Sequence, residues 1–186
     1  MYHHGIYGAI RIIKRSLEDG MCELRGVGLG EHKTSLVFEP LTLTEVSRGK
    51  TVMSSKAYRS QFRATAAIDD SNETFYSNDG QSLQPWWVLD LEAQPIIHTV
   101  VVLPVYHHTG RFNDIGVFVG SSLPNDSNFT TWQMLGHYTG PYTESEGHVS
   151  FTCTSDITGQ YVAFQRISAT SQKLEMKDVK IYVKVP

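Results

Sequence analysis

Beyond Val46 the chain alternates short apolar runs with polar loops punctuated by Gly, Asn, Asp and Ser, the pattern of many short strands. Trp87, Leu89 and Leu91 fall at period two, which predicts a strand with one buried face. Thr99-Val100-Val101-Val102-Leu103, within His98 to Val105, is almost unbroken and predicts a strand buried on both sides. Ile115 to Val119, Trp132 to Leu135, His148 to Cys153, Tyr161 to Ile167 and Val179 to Val185 complete the set. Short strands at this spacing argue for an all-β chain folded as an antiparallel β-sandwich.

The first 44 residues follow a different pattern. Ile6, Ile10, Ile13 and Leu17 stand at helical spacing with Arg11, Lys14 and Arg15 opposite, and Glu18-Asp19-Gly20 ends the run. Gly26-Val27-Gly28-Leu29-Gly30 lacks the strand, helix and lysine of a phosphate-binding loop and reads as a linker. The chain of 186 residues therefore divides into an N-terminal extension or tail of an upstream module, 1–44, and one domain, 45–186. With no secretory leader pattern at its start, it reads as a fragment of a longer protein.

Charge narrows the function. Charged residues are only 19% of the chain and the net charge is −3, which offers no electrostatic basis for nucleic acid or anionic membrane. No apolar run approaches the roughly 18 residues of a spanning helix, so no membrane insertion is expected. Sequons at Asn72, Asn125 and Asn128 favour an extracellular setting. Cys22 and Cys153 are compatible either with a pair or with two separate thiols. The histidines and carboxylates are scattered, without an esterase elbow, a zinc-protease motif or a Cys–His set, so no enzyme is expected.

The polar turn Asp69-Asp70-Ser71-Asn72 and the segment Pro85-Trp86-Trp87-Val88-Leu89-Asp90-Leu91 bring in a resemblance. Together with Val46 to Ser55, Gly159-Gln160-Tyr161-Val162 and Leu174 to Tyr182, they resemble the F-type lectins (fucolectins), within the discoidin-like, galactose-binding-like group. The resemblance runs over roughly residues 45 to 185 and implies a discoidin-like jelly roll. It also implies a bound calcium, which takes six to eight oxygen ligands. By position these are the Ala66 carbonyl, the Asp69 carboxylate, the Ser71 carbonyl, a polar group at Asn78 (or its neighbour Asp79), the Lys177 carbonyl and the Asp178 carboxylate. Asp70 stands where the family has glycine in a left-handed turn, and Asp178 where it has glutamate.

The family grips fucose with a histidine followed by R-x-D-x4-R/K. Here Arg111 takes the last basic position, while the first arginine falls near Pro104 or Val105 and the histidine near Asn78. His107 and His108 lie in the same loop, and Phe75 and Tyr76 are aromatics suited to the apolar face of a sugar. The implied function is a non-catalytic, lectin-like domain with a degenerate sugar motif. Its partner would be a glycan, fucosylated ones included, or a glycoprotein, within a multidomain or oligomeric protein. The alternative is a protein-interaction or adhesion module of an extracellular receptor that has lost sugar binding. The family's paired loop cysteines are replaced by Tyr106-His107-His108-Thr109, and Lys177 stands where the last strand usually has cysteine.

Overall fold

The computed structural model describes residues 41–108, 110–169 and 171–185. The expectations placed on residues 1–40, the amphipathic helix, the glycine linker and Cys22, lie outside the described residues. Thr42–Pro186 forms one compact unit.

Ten strands build it: β1 (Leu43–Glu45), β2 (Thr51–Ser54), β3 (Tyr76–Ser77), β4 (Trp86–Asp90), β5 (Ile96–Pro104), β6 (Ile115–Gly120), β7 (Gln133–Tyr138), β8 (Val149–Thr158), β9 (Tyr161–Arg166) and β10 (Glu175–Lys184). They form two five-stranded sheets. One has the order β1-β10-β5-β8 with β3 also paired to β10, and the other the order β2-β4-β9-β6-β7. Every pairing is antiparallel. The expected antiparallel sandwich is the fold that forms. Leu43 and Thr44, assigned by sequence to the extension, pair with Lys184 and Val183, so the first sheet begins before the expected boundary.

Trp87 and Leu89 from one sheet and Val100, Val102, Met176 and Ile181 from the other share the central core. The two strands with the clearest sequence patterns exchange their expected roles. β4 is buried on both faces, because Val88 belongs to a second cluster with Phe118, Ala163 and Phe129. These side chains form a cross-strand row, Val88 beside Ala163 and Ala163 beside Phe118, on the side opposite Trp87. The segment carrying Phe129 and Trp132 closes over it, anchored where the Phe129 N–H donates to Gln165 Oε1 at 3.0 Å. Gly120 permits this cover, since a Cβ there would fall 2.2 Å from the Trp132 ring. β5, by contrast, alternates: Val100 and Val102 are buried while Val101 and Leu103 are half-exposed, because nothing comparable among the described residues covers its outer side. β-branched residues fill a half-buried surface as readily as a buried one, so composition alone did not separate the two cases.

Candidate functional site: a polar cleft at one end of the sandwich

β5 ends and β6 begins at the same end of the sandwich as the close of β9 and the start of β10, since Pro104 pairs with Met176 and Ile115 with Arg166. The loops leaving these strands meet there and enclose a cleft of about 460 Å³. Asp79 and Gly80 form one wall, Gly110, Arg111 and Asn113 a second, and Ser171, Gln172 and Lys173 the third.

Two buried charged side chains hold these loops. Arg166, at the end of β9, is fully buried. Its guanidinium donates to the Asn113 carbonyl at 2.7 Å, to Asn113 Oδ1, to the Arg111 carbonyl and to the Lys173 carbonyl at 3.1 Å. It ties two of the three walls together from beneath. Burial pushes its pKa down, and Asp114 opposes that; an arginine remains charged regardless. Glu175, the first residue of β10 and 2% exposed, accepts from Arg111 Nη1 at 2.6 Å and from the Ser77 hydroxyl at 2.8 Å. His108 Nδ1 lies 3.1 Å from its other oxygen. Arg111 is therefore aimed by a buried carboxylate that engages one of its five donors.

The rim adds an aromatic. Tyr58 is 44% exposed, and Lys173 Nζ sits 3.4 Å from its ring centroid, with Arg59 on the same ring at 5.0 Å. The segment carrying Tyr58 is fixed to the cleft wall, because the Tyr58 N–H donates to the Ser77 carbonyl and the Asp79 N–H to the Lys56 carbonyl.

The residues expected to bind sugar separate into groups. Arg111 lines the cleft and His108 supports it through Glu175. His107 is exposed beside Tyr106 and is not among the cleft-lining residues. Phe75 is half-buried against Phe62, 4.6 Å between centroids. Tyr76 and Asn78 are corrections. Tyr76 is fully buried, its hydroxyl donating to the Trp86 carbonyl at 3.2 Å, so its ring belongs to the core. Asn78 is fully buried too, with Oδ1 accepting from the Leu174 N–H at 2.6 Å. Both lie on or beside β3, a two-residue strand drawn onto β10, and that pairing turns them inward.

The residues missed by sequence reading are Tyr58, Ser171, Gln172, Lys173, Arg166 and Glu175. The loop residues carry no pattern. Arg166 and Glu175 did leave a trace, as charged residues directly flanking apolar strand runs.

The calcium set is not assembled as expected. The Asp69 carboxylate accepts from its own loop, from the Ser71 N–H at 3.1 Å and the Thr74 hydroxyl at 2.8 Å. The loop is held in place by the Trp87 indole N–H, which donates to the Ala64 carbonyl at 3.0 Å just ahead of it. Asp70 does adopt the left-handed turn, at φ 62°, and its carboxylate faces Arg48. That guanidinium holds Asp70 below the usual carboxylate pKa. Asp178 lies 3.3 Å from Lys180 Nζ, which is also 3.9 Å from Asp70. Asp178 raises the Lys180 pKa. Lys177, whose backbone carbonyl is the expected ligand, sends its side chain over the Tyr106 ring. Ala66 is buried in the turn before the loop. Asn78, the fourth expected side, is committed to Leu174. No group of three His, Cys, Asp or Glu residues suited to a metal converges among the described residues. The residues present do not fit a calcium held by Asp69 and Asp178 together, because Asp69 is taken up by Ser71 and Thr74 of its own loop and Asp178 by Lys180. An ion bound only by the folded state would add roughly 2.7 kcal/mol at a hundredfold excess over Kd, several degrees of Tm. The expected result here is a Tm unchanged between excess calcium and excess EDTA. A chelator-sensitive rise that disappears in Asp69→Ala would restore the metal.

Comparison with known proteins places this geometry. Residues 66–164 match the family model described as NedA-like, galactose-binding domain, of F5/F8 type C. The chain belongs to that family. The match runs from the turn before the Asp69 loop into β9, and it stops short of the Ser171–Lys173 wall. No curated protein sequence matches the chain. Solved structures share the fold at low identity. The f-lectin (fucolectin) from striped bass (Morone saxatilis) serum is 19% identical with a TM-score of 0.67, over 78% of this chain and 50% of that one. The chain thus spans half the length of the bass lectin. The family 32 CBM of C. perfringens NanJ, solved with galactose, is 14% identical with a TM-score of 0.60, over 76% of this chain and 99% of that one. The Streptococcus pneumoniae fucose-binding module SpX-3 is 11% identical with a TM-score of 0.60, over 75% of this chain and 98% of that one. The fold of this galactose-binding-like domain is that of lectins and carbohydrate-binding modules, and those neighbours are non-catalytic domains. No helix among the described residues is long and apolar enough to cross a membrane.

Proposed function

We propose that this domain is a non-catalytic carbohydrate-binding module that takes a glycan in the cleft between Asp79, Arg111 and Lys173. The carrying observation is the combination of that cleft with Tyr58 at its rim: fixed polar donors and acceptors for hydroxyls beside an exposed aromatic residue that carries Lys173 on its ring. Sugars are amphipathic, and sites for them join a few aimed polar groups to a ring that receives their C–H face. Arg111 offers paired donors to neighbouring hydroxyls, Asp79 an acceptor, and Gln172 both. Membership of a galactose-binding-like family supports the reading. Exposed sequons at Asn72, Asn125 and Asn128 support a glycoprotein working outside the cell.

Fucose as the specific ligand finds little support. Asn78 at the histidine position is buried, and Pro104 at the first arginine position is the buried last residue of β5. Two charge-assisted contacts of about 1.5–3 kcal/mol each are then missing. The test is a glycan array on the full chain with Tyr58→Ala and Asp79→Ala alongside. Each substitution should weaken the best glycan by about tenfold or more, the equivalent of one 1.4 kcal/mol contact. Binding indifferent to both would move the site away from this cleft.

A further inference from the structure

The charges around the cleft do not balance. Arg111 is answered by Glu175, and Asp79 stands 3.8 Å from Lys56. Asp114, the remaining acid near Arg166, is 2.7 Å from His137 and is held below the usual carboxylate pKa first by a hydrogen bond from Ser168. Against these stand cations that form no ion pair among the described residues. Lys173 lines the cleft and rests on Tyr58, with Arg59 on the same ring. Arg166 is fully buried beneath the walls, and the partners holding it are carbonyls and one amide oxygen, not carboxylates. A buried charge with no carboxylate bonded to it is screened far less than one in water, and Asp114 offsets only part of the cost of burying Arg166. Its guanidinium is bonded to the backbones of Arg111, Asn113 and Lys173, three residues that line the cleft, so its field emerges there.

We infer that the cleft selects an anionic saccharide, one bearing a carboxylate or a sulfate, which completes the charge balance of Lys173 and Arg166. The inference rests on the cleft being the glycan site. Tyr58 holds the ammonium of Lys173 at the rim of the cleft, where it receives the acidic substituent in a charge-assisted hydrogen bond. Neutral galactose would satisfy the hydroxyl donors and leave the cations unanswered.

Lactose, 3′-sialyllactose and 3′-sulfolactose share one core and differ in the acid they carry. Titration of the full chain with each, at low and at high salt, reads both parts of the claim. The expected result is at least tenfold tighter binding of one or both acidic sugars than of lactose at low salt. That ratio should collapse as the Debye length shortens from about 30 Å at 0.01 M to 3 Å at 1 M. Sialyllactose alone above lactose identifies a carboxylate, sulfolactose alone a sulfate, and both a site reading charge. Lys173→Gln and, independently, Arg59→Gln should each lower the acidic-to-neutral ratio. Lactose bound as tightly as the acidic sugars, with no salt dependence, overturns the inference and leaves the glycan site standing. Binding of none of the three overturns the inference, and blank results across the glycan array as well would remove the glycan reading with it.

Discussion

Arg166→Met should cost about 3 kcal/mol or more of stability and abolish glycan binding together. The guanidinium serves carbonyls of Arg111, Asn113 and Lys173 plus an amide oxygen, in a place water does not reach. Methionine fills the volume and relieves the desolvation of a charge, which alone would be favourable. The acceptors remain, however, on half-buried residues, and each one left without a donor costs up to about 1–3 kcal/mol. Four such acceptors outweigh the relief. Urea unfolding with an unchanged m-value would show the loss as a lower midpoint. Because these bonds tie two walls of the cleft, binding should fall even well below the new midpoint. A variant with wild-type stability would show that the carbonyls find other partners.

Arg111→Ala is the second large effect, and its origin is different. It leaves Glu175, 2% exposed, without its guanidinium. Stranding a buried charge costs about 3–5 kcal/mol, and Arg111 is itself about a third exposed, so about 2–3 kcal/mol is expected here. The cause can be isolated. In a Glu175→Gln background the same substitution should cost at least about 1 kcal/mol less, since a neutral amide is not stranded in the same way. Additive effects would mean that Arg111 and Glu175 do not act as a pair. Glycan affinity should fall by tenfold or more in Arg111→Ala, because the cleft loses a donor whose aim Glu175 sets.

The strand residues explain why so much of the fold could be read directly. Ile115 to Val119 and Tyr161 to Ile167 carry apolar runs, and Val179 to Val185 an alternation interrupted by Lys180 and Lys184, each enough to specify a strand without any partner, and all three are strands. Local chemistry of the same kind determined the turn at Asp69 to Asn72, where an aspartate carboxylate satisfies the backbone two residues on and Asp70 tolerates a positive φ. The family resemblance rests on these local signals, held in order along the chain.

Which side of each strand meets solvent was decided only by tertiary structure. Val88 is as apolar as Val101, yet one is buried and the other half-exposed, because Phe129 and Trp132 fold over β4 and no equivalent segment among the described residues covers β5. The site was less legible for the same reason. Tyr76 and Asn78 occupy positions where an aromatic and an amide suit a sugar, but pairing of β3 with β10 turns them inward. Asp69 and Asp178 are acids at positions expected to hold a calcium, but Asp69 is taken up by Ser71 and Thr74 of its own loop and Asp178 by Lys180. The cleft itself joins residues from 79, 111 and 173, brought together by two charged side chains at strand ends. Sequence by itself determined the strands, the turn and the family, because those depend on neighbours along the chain. The faces, the charge balance and the cleft depend on contacts between residues far apart in sequence, and only the folded arrangement of the two sheets sets them.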